Sequence, residues 1–66
     1  MSGFKFVQTG TGYEVYSNNK KIGEIEPMRD GGYYCFSTGG IGIGRHGKTK
    51  DQAAYKILKY IEEKKK

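Results

Sequence analysis

All eleven glycines of the 66-residue chain fall at or before Gly47, and the last nineteen residues have none. That segregation divides the chain into two kinds of backbone. Before Gly47 the apolar runs are too short for helices and are punctuated by turn residues. "FKFVQ" (Phe4–Gln8) is followed by "TGTG", and "YEVYS" (Tyr13–Ser17) meets Asn18-Asn19, a pair suited to two consecutive positive φ angles. "KKIGEIE" (Lys20–Glu26) stops at Pro27, which has no N–H for a ladder. "RDGG" turns the chain into "YYCFS" (Tyr33–Ser37), and Gly39-Gly40 turns it again into "IGIG" (Ile41–Gly44). These runs are aromatic and β-branched with little helical period. They predict a meander of four or five antiparallel strands within residues 4–44.

After the last glycine, "TKDQAAYKILKYIEEKKK" carries one helical pattern. Thr49 and Gln52 have the spacing of a capping box, and Asp51 sits where the helix dipole favours an acid. Ala53, Ala54, Ile57, Leu58 and Ile61 form one apolar stripe, with Lys56, Lys59 and Glu63 away from it. A helix over about 50–63 follows, its stripe laid across one face of the sheet, with a basic tail at 64–66. The expected fold is thus a single α+β domain spanning residues 1–66. A chain this short buries only about 60% of the surface its unfolded form exposes, so the core must be small.

Within the glycine-rich part, "GIGRHGKT" (42–49) matches two phosphate-binding patterns. Gly42, Gly47, Lys48 and Thr49 fit G-x-x-x-x-G-K-[ST], and Gly42, Gly44 and Gly47 fit G-x-G-x-x-G. Both motifs work only inside βαβ units of 30 or more residues with a buried parallel strand ahead of the loop. Only 17 residues follow Thr49, and "IGIG" is half glycine. The architecture is missing, so no nucleotide cofactor is expected. Other chemistry is equally thin. One histidine and one cysteine do not make a structural zinc site, which takes four ligands. Cys35, flanked by aromatics, reads as a small core residue. Glu24 and Glu26 share a strand face and read as solvation. No enzyme and no metal are expected.

Charge and aromatics carry more. Formal net charge is +5. Residues 1–28 balance Lys5, Lys20 and Lys21 against Glu14, Glu24 and Glu26, whereas residues 29–50 set Arg29, Arg45, Lys48 and Lys50 against Asp30 alone, which leaves +3. A basic middle segment suits a polyanion partner. Six tyrosines and three phenylalanines are more than a small core can hide. In "YYCF" successive side chains point to opposite sheet faces. Tyr33 and Cys35 on the helix side would leave Tyr34 and Phe36 on the other, and the opposite phase would swap them. Aromatics framed by cations suit stacking on bases. The competing expectation is that the N-terminal hairpin folds over that face and covers them.

The segment "GGYYCFSTGGIGIGRHGKTKDQAAYKIL" resembles the N-terminal arm-binding domain of lambda-type tyrosine recombinases. Gly32, Tyr33, Tyr34, Cys35 and Phe36 match that family's first motif strand. Gly42, Ile43, Gly44 and Arg45 match the next, and Thr49–Leu58 match its helix. The resemblance implies a three-stranded sheet on a helix, with the sheet face entering the DNA major groove. The hairpin that is basic in the family is the uncharged "STGG" here, and no Lys or Arg lies between Arg29 and Arg45. The candidate nucleic-acid-binding residues are Arg29, Arg45, Lys48 and Lys50 for phosphates, Tyr34 or Phe36 for bases or sugar, and His46 in the same basic turn. The function expected is a small DNA-binding protein of phage or mobile-element type. The alternative is a protein-interaction module, a small regulator or inhibitor acting through its sheet face or an edge. An unpaired cysteine, no secretory segment and no apolar run of the roughly 20 residues that span a bilayer point to the cytoplasm rather than a membrane.

Overall fold

A computed structural model describes residues 3–64. The chain forms strands β1 (Phe4–Gln8), β2 (Tyr13–Ser17), β3 (Lys20–Pro27), β4 (Tyr33–Phe36) and β5 (Gly42–Gly47), then helix α1 (Lys50–Lys64). The strands make one antiparallel sheet in the order β1-β2-β3-β4-β5. This is the α+β meander with a C-terminal helix. Of the basic tail, Lys64 closes the helix, and Lys65 and Lys66 lie outside the described residues. No helix among the described residues is long and apolar enough to cross a membrane.

The turns form where their residues require them. Asn18 and Asn19 both adopt positive φ, 53° and 65°, the combination that matches the twist of a two-residue hairpin. Gly40 takes φ 82° in the β4–β5 turn, which is closed by the Ser37 N–H donating to the Ile41 carbonyl at 2.8 Å. The β2–β3 register slips by one residue between Val15 and Tyr16. Val15 opposes Gly23 and Tyr16 opposes Lys21, so Ile22 is the extra residue of a bulge. The bulge re-aims the strand. Ile22 turns into the core, and Lys21 turns to the opposite face beside Glu14 and Glu24.

The core lies between the sheet and α1. It consists of Val15, Ile22, Ile25, Cys35, Ala53, Ala54 and Ile57, with Leu58 and Ile61 packed against its margin. Full burial of side chains such as Ile25 and Ile57 stabilises the fold by about 1.5–3 kcal/mol each. A free 15-residue helix is marginal in water, so packing on the sheet is what makes α1 persist. The alanines set how closely the helix approaches. At Gly47 a Cβ would come within 2.5 Å of the Ala53 nitrogen and 2.8 Å of the Gln52 carbonyl carbon. The strand backbone therefore rests directly on the first turn of α1.

Most boundaries differ from the sequence expectation by one residue at most, and the last strand differs by more. The last strand does not end at Gly44 but continues to Gly47, so Arg45 and His46 belong to an edge strand and not to a turn. Pairing of Tyr34 with His46 and Tyr33 with Gly47 extends the ladder. Gly44, at φ 72°, absorbs an irregularity within β5 that a strict strand pattern does not anticipate. The N-terminal hairpin also extends the sheet instead of folding over it. Consequently the face away from the helix is open.

Candidate functional site

The structure resolves the phase of "YYCF". Cys35 is on the helix side, fully buried, its Sγ donating to the Ala53 carbonyl at 3.3 Å. Burial pushes its thiol up to about 11, so it is no nucleophile at neutral pH. Tyr33 shares that side and meets Tyr13 edge-on at 6.3 Å. Tyr34 and Phe36 stand on the open face as a T-shaped pair with ring centroids 5.1 Å apart. Tyr34 is further held by its hydroxyl, which accepts the Gly44 N–H at 3.0 Å. The ring lies across β5, and a Cβ at Gly42 would stand 3.1 Å from it. Alternating glycine in β5 thus makes a seat for Tyr34.

The neighbours of that aromatic pair are acidic. Glu24 lies opposite Phe36, Glu26 opposite Tyr34, and Glu14 opposite Glu24. Lys21 bridges Glu24 at 3.0 Å and Glu14 at 3.4 Å, and the Glu24 carboxylate foremost raises the lysine's pKa. Tyr16 donates to Glu14 at 3.2 Å, which raises the phenol's pKa in turn. Across this face Glu14, Glu24 and Glu26 outnumber Lys5 and Lys21. The β3 neighbours of the Tyr34–Phe36 pair are carboxylates and not cations.

The cations lie elsewhere, and not together. Lys50 at the helix start leans over Tyr13, 4.4 Å from the ring centroid, and towards Phe6 at 5.7 Å. Arg29 is exposed in the β3–β4 turn. Lys48 is exposed at the junction of β5 and α1, and its backbone N–H donates to Gln52 Oε1 at 3.0 Å. Thr49 Oγ1 accepts the Gln52 N–H at 3.1 Å. The capping box is therefore present with its return bond shifted by one residue, to Lys48 instead of Thr49. Gly42–Gly47 being a strand, the phosphate-loop pattern has no loop, and its threonine is engaged as a cap.

A second cluster forms along the β5 edge. Arg45 reaches across the helix, pairs with Glu63 and lies 5.4 Å from the Tyr60 ring centroid. Lys64 approaches the same ring at 5.5 Å. A groove of about 420 Å³ runs between β5 and α1, lined by Gly44, Arg45, His46, Tyr55, Lys56 and Lys59. Of the sequence candidates, only Arg45 and His46 meet here, with Lys48 two residues further along the chain. The helix pattern sets Lys56 and Lys59 away from the apolar stripe and gives Tyr55 no role, so sequence reasoning misses all three. One signal does point their way: Tyr55 is an aromatic off the apolar stripe, and it remains 55% exposed.

Comparisons with protein-family models, curated proteins and solved structures find no match for this chain.

Proposed function

We propose that the chain is a small non-enzymatic nucleic-acid-binding protein, of the phage or mobile-element type, that holds phosphates along the β5–α1 flank. One observation carries this reading. The groove between the edge strand and the helix gathers Arg45, Lys56 and Lys59 beside His46 and Tyr55, with Glu63 as Arg45's carboxylate partner. Cations with an aromatic among them are what a phosphate backbone and its bases select. The sheet face that the recombinase resemblance would send into the major groove carries Glu14, Glu24 and Glu26, which would repel phosphates. The flank is the better electrostatic match. DNA is the polymer to try first on that resemblance, and a reducing cytoplasm suits the unpaired Cys35.

The test compares two sets of neutral variants in binding titrations on duplex DNA from about 50 mM salt upward, where weak electrostatic binding is measurable. Arg45→Gln, Lys56→Gln and Lys59→Gln together should weaken binding irrespective of sequence and flatten the salt dependence. The log–log slope should fall by about 0.9 for each phosphate that is no longer neutralised. Arg29→Gln with Lys50→Gln should have the smaller effect, because Lys50 is held over Tyr13. An unchanged slope in the flank variant removes the proposal.

A second reading, a protein-interaction module, is supported by Ile41, which stands 71% exposed beside the β4–β5 turn, and by the outer edge of β1, unpaired among the described residues. It expects no nucleic-acid binding at low salt, and a partner whose capture depends on Ile41 or on the Tyr34–Phe36 face.

A further inference from the structure

We infer that the β5–α1 groove takes an unpaired, single-stranded polynucleotide segment, with a base stacked on Tyr55 and the adjoining phosphates on Arg45, Lys56 and Lys59. The inference rests on the nucleic-acid reading above and goes beyond it in naming the strand state and the stacking residue. Eight of the nine aromatic side chains already have a partner within the fold. Tyr13 meets Tyr33, Tyr34 meets Phe36, and Tyr16 donates to Glu14. Tyr60 has Arg45 and Lys64, Phe6 has Lys50, and Phe4 packs on the core. Tyr55 makes no ring, cation or hydrogen-bond contact among the described residues, does not pack on the core as Phe4 does, and is more than half exposed. It stands on the wall of the groove that Arg45, Lys56 and Lys59 also line.

The geometry selects an unpaired base for two reasons. A base inside a duplex offers its face only to its stacked neighbours, so an aromatic on a protein flank gains nothing from it. An unpaired base can leave the stack and lie on the phenol ring, and this is sequence-tolerant because every base has a π face. The groove, at about 420 Å³, lies within the range of small-molecule sites and has room for a single base. Gly44 is among its lining residues and adds no side chain to it. Lys59 lies four residues beyond Tyr55, one turn along the same helix, and Lys56 lines the same groove, so cations and the ring share one site.

Fluorescence anisotropy with labelled short oligo(dT), oligo(rU) and a DNA duplex tests this, using the whole chain and its Tyr55→Ala and Tyr55→Phe variants. Tyr55→Ala should weaken binding to the single strands roughly 5- to 150-fold, the span of base–aromatic stacking, and should leave duplex affinity nearly unchanged. Tyr55→Phe should retain single-strand binding, because the ring and not the hydroxyl carries the interaction. The dT and rU arms separate DNA from RNA as the source of the strand. Equal losses on single strand and duplex, or no loss on either, overturn the stacking inference while leaving the phosphate reading in place. Failure of the parent chain to bind any of the three overturns both. Tyr55 is exposed on a helix, where alanine is the better helix former, so loss of fold does not confuse the result; a circular dichroism melt verifies it.

Discussion

Cys35 shows how one residue can be both central and chemically silent. It fills the space beneath Ala53, hydrogen-bonds that carbonyl, and is wholly shielded from solvent. Its thiol is raised to about 11 by burial, with Lys56 and Arg45 opposing the shift weakly. A raised native pKa has a definite consequence for stability. Below about pH 9 the thiol is neutral in both folded and unfolded chains, and its contribution is fully present. Between about pH 9 and 11 the unfolded chain ionises and the folded one does not, so stability falls. The loss should approach about 2–3 kcal/mol. Urea unfolding of the parent and of Cys35→Ala at pH 8 and at pH 11 measures it. The stability gap between the two should narrow at the higher pH, because the variant lacks this titration. The same burial makes Cys35 unreactive towards thiol reagents until the chain opens.

At the scale of elements, the junction between β5 and α1 has the least freedom. Thr49 and Gln52 close the helix start, and Gly47 lies against its first turn. Thr49→Ala should cost about 1 kcal/mol, the usual loss for an N-cap oxygen. Gly47→Ala should cost more, about 1–3 kcal/mol, since the added methyl meets backbone atoms that cannot rotate away. Thermal melts of both variants rank the two effects. A result in which Thr49→Ala is the worse would mean that the helix start can shift off β5. These two residues also supply the phosphate-loop pattern. Their occurrence there has a structural explanation, one as a close-approach glycine and the other as a cap.

At the scale of the whole molecule, the helix divides the sheet unequally. α1 packs on β3, β4 and β5, whereas β1 pairs only with β2 at the far edge. Among the described residues both outer strands have an unpaired side, yet only β5 is backed by the helix. Hydrogen exchange should follow that asymmetry. Amides of β1 should exchange by local opening well before those of β5, and the β3–β4 ladder should be slowest. Similar protection in β1 and β5 would show that Phe4 and Phe6, which pack against the core margin, secure the first strand as firmly as the helix secures the last. Charge is divided as well. The sheet face carries Glu14, Glu24 and Glu26, and the β5–α1 flank carries Arg45, Lys56 and Lys59, so the net +5 describes neither surface.

Most of the fold was legible in the chain itself. Asn18-Asn19, Gly39-Gly40 and Pro27 punctuate the strands by fixed backbone chemistry, and Thr49 with Gln52 announces the helix, because turns and caps are decided by neighbours in sequence. The apolar stripe of α1 was legible for the same reason, since a 3.6-residue period is local. The site was not. Which side of β4 meets the helix depends on where α1 docks, and alternation alone leaves two phases open. The extension of β5 through Arg45 and His46 depends on a long-range partner, β4, and on an irregularity at Gly44. Lys56, Lys59 and Tyr55 look like an ordinary solvated helix face until β5 is laid beside them. Local sequence determined the elements and their ends. Tertiary packing alone decided which charges face one another, because docking α1 on the sheet brings together residues that no short-range rule connects.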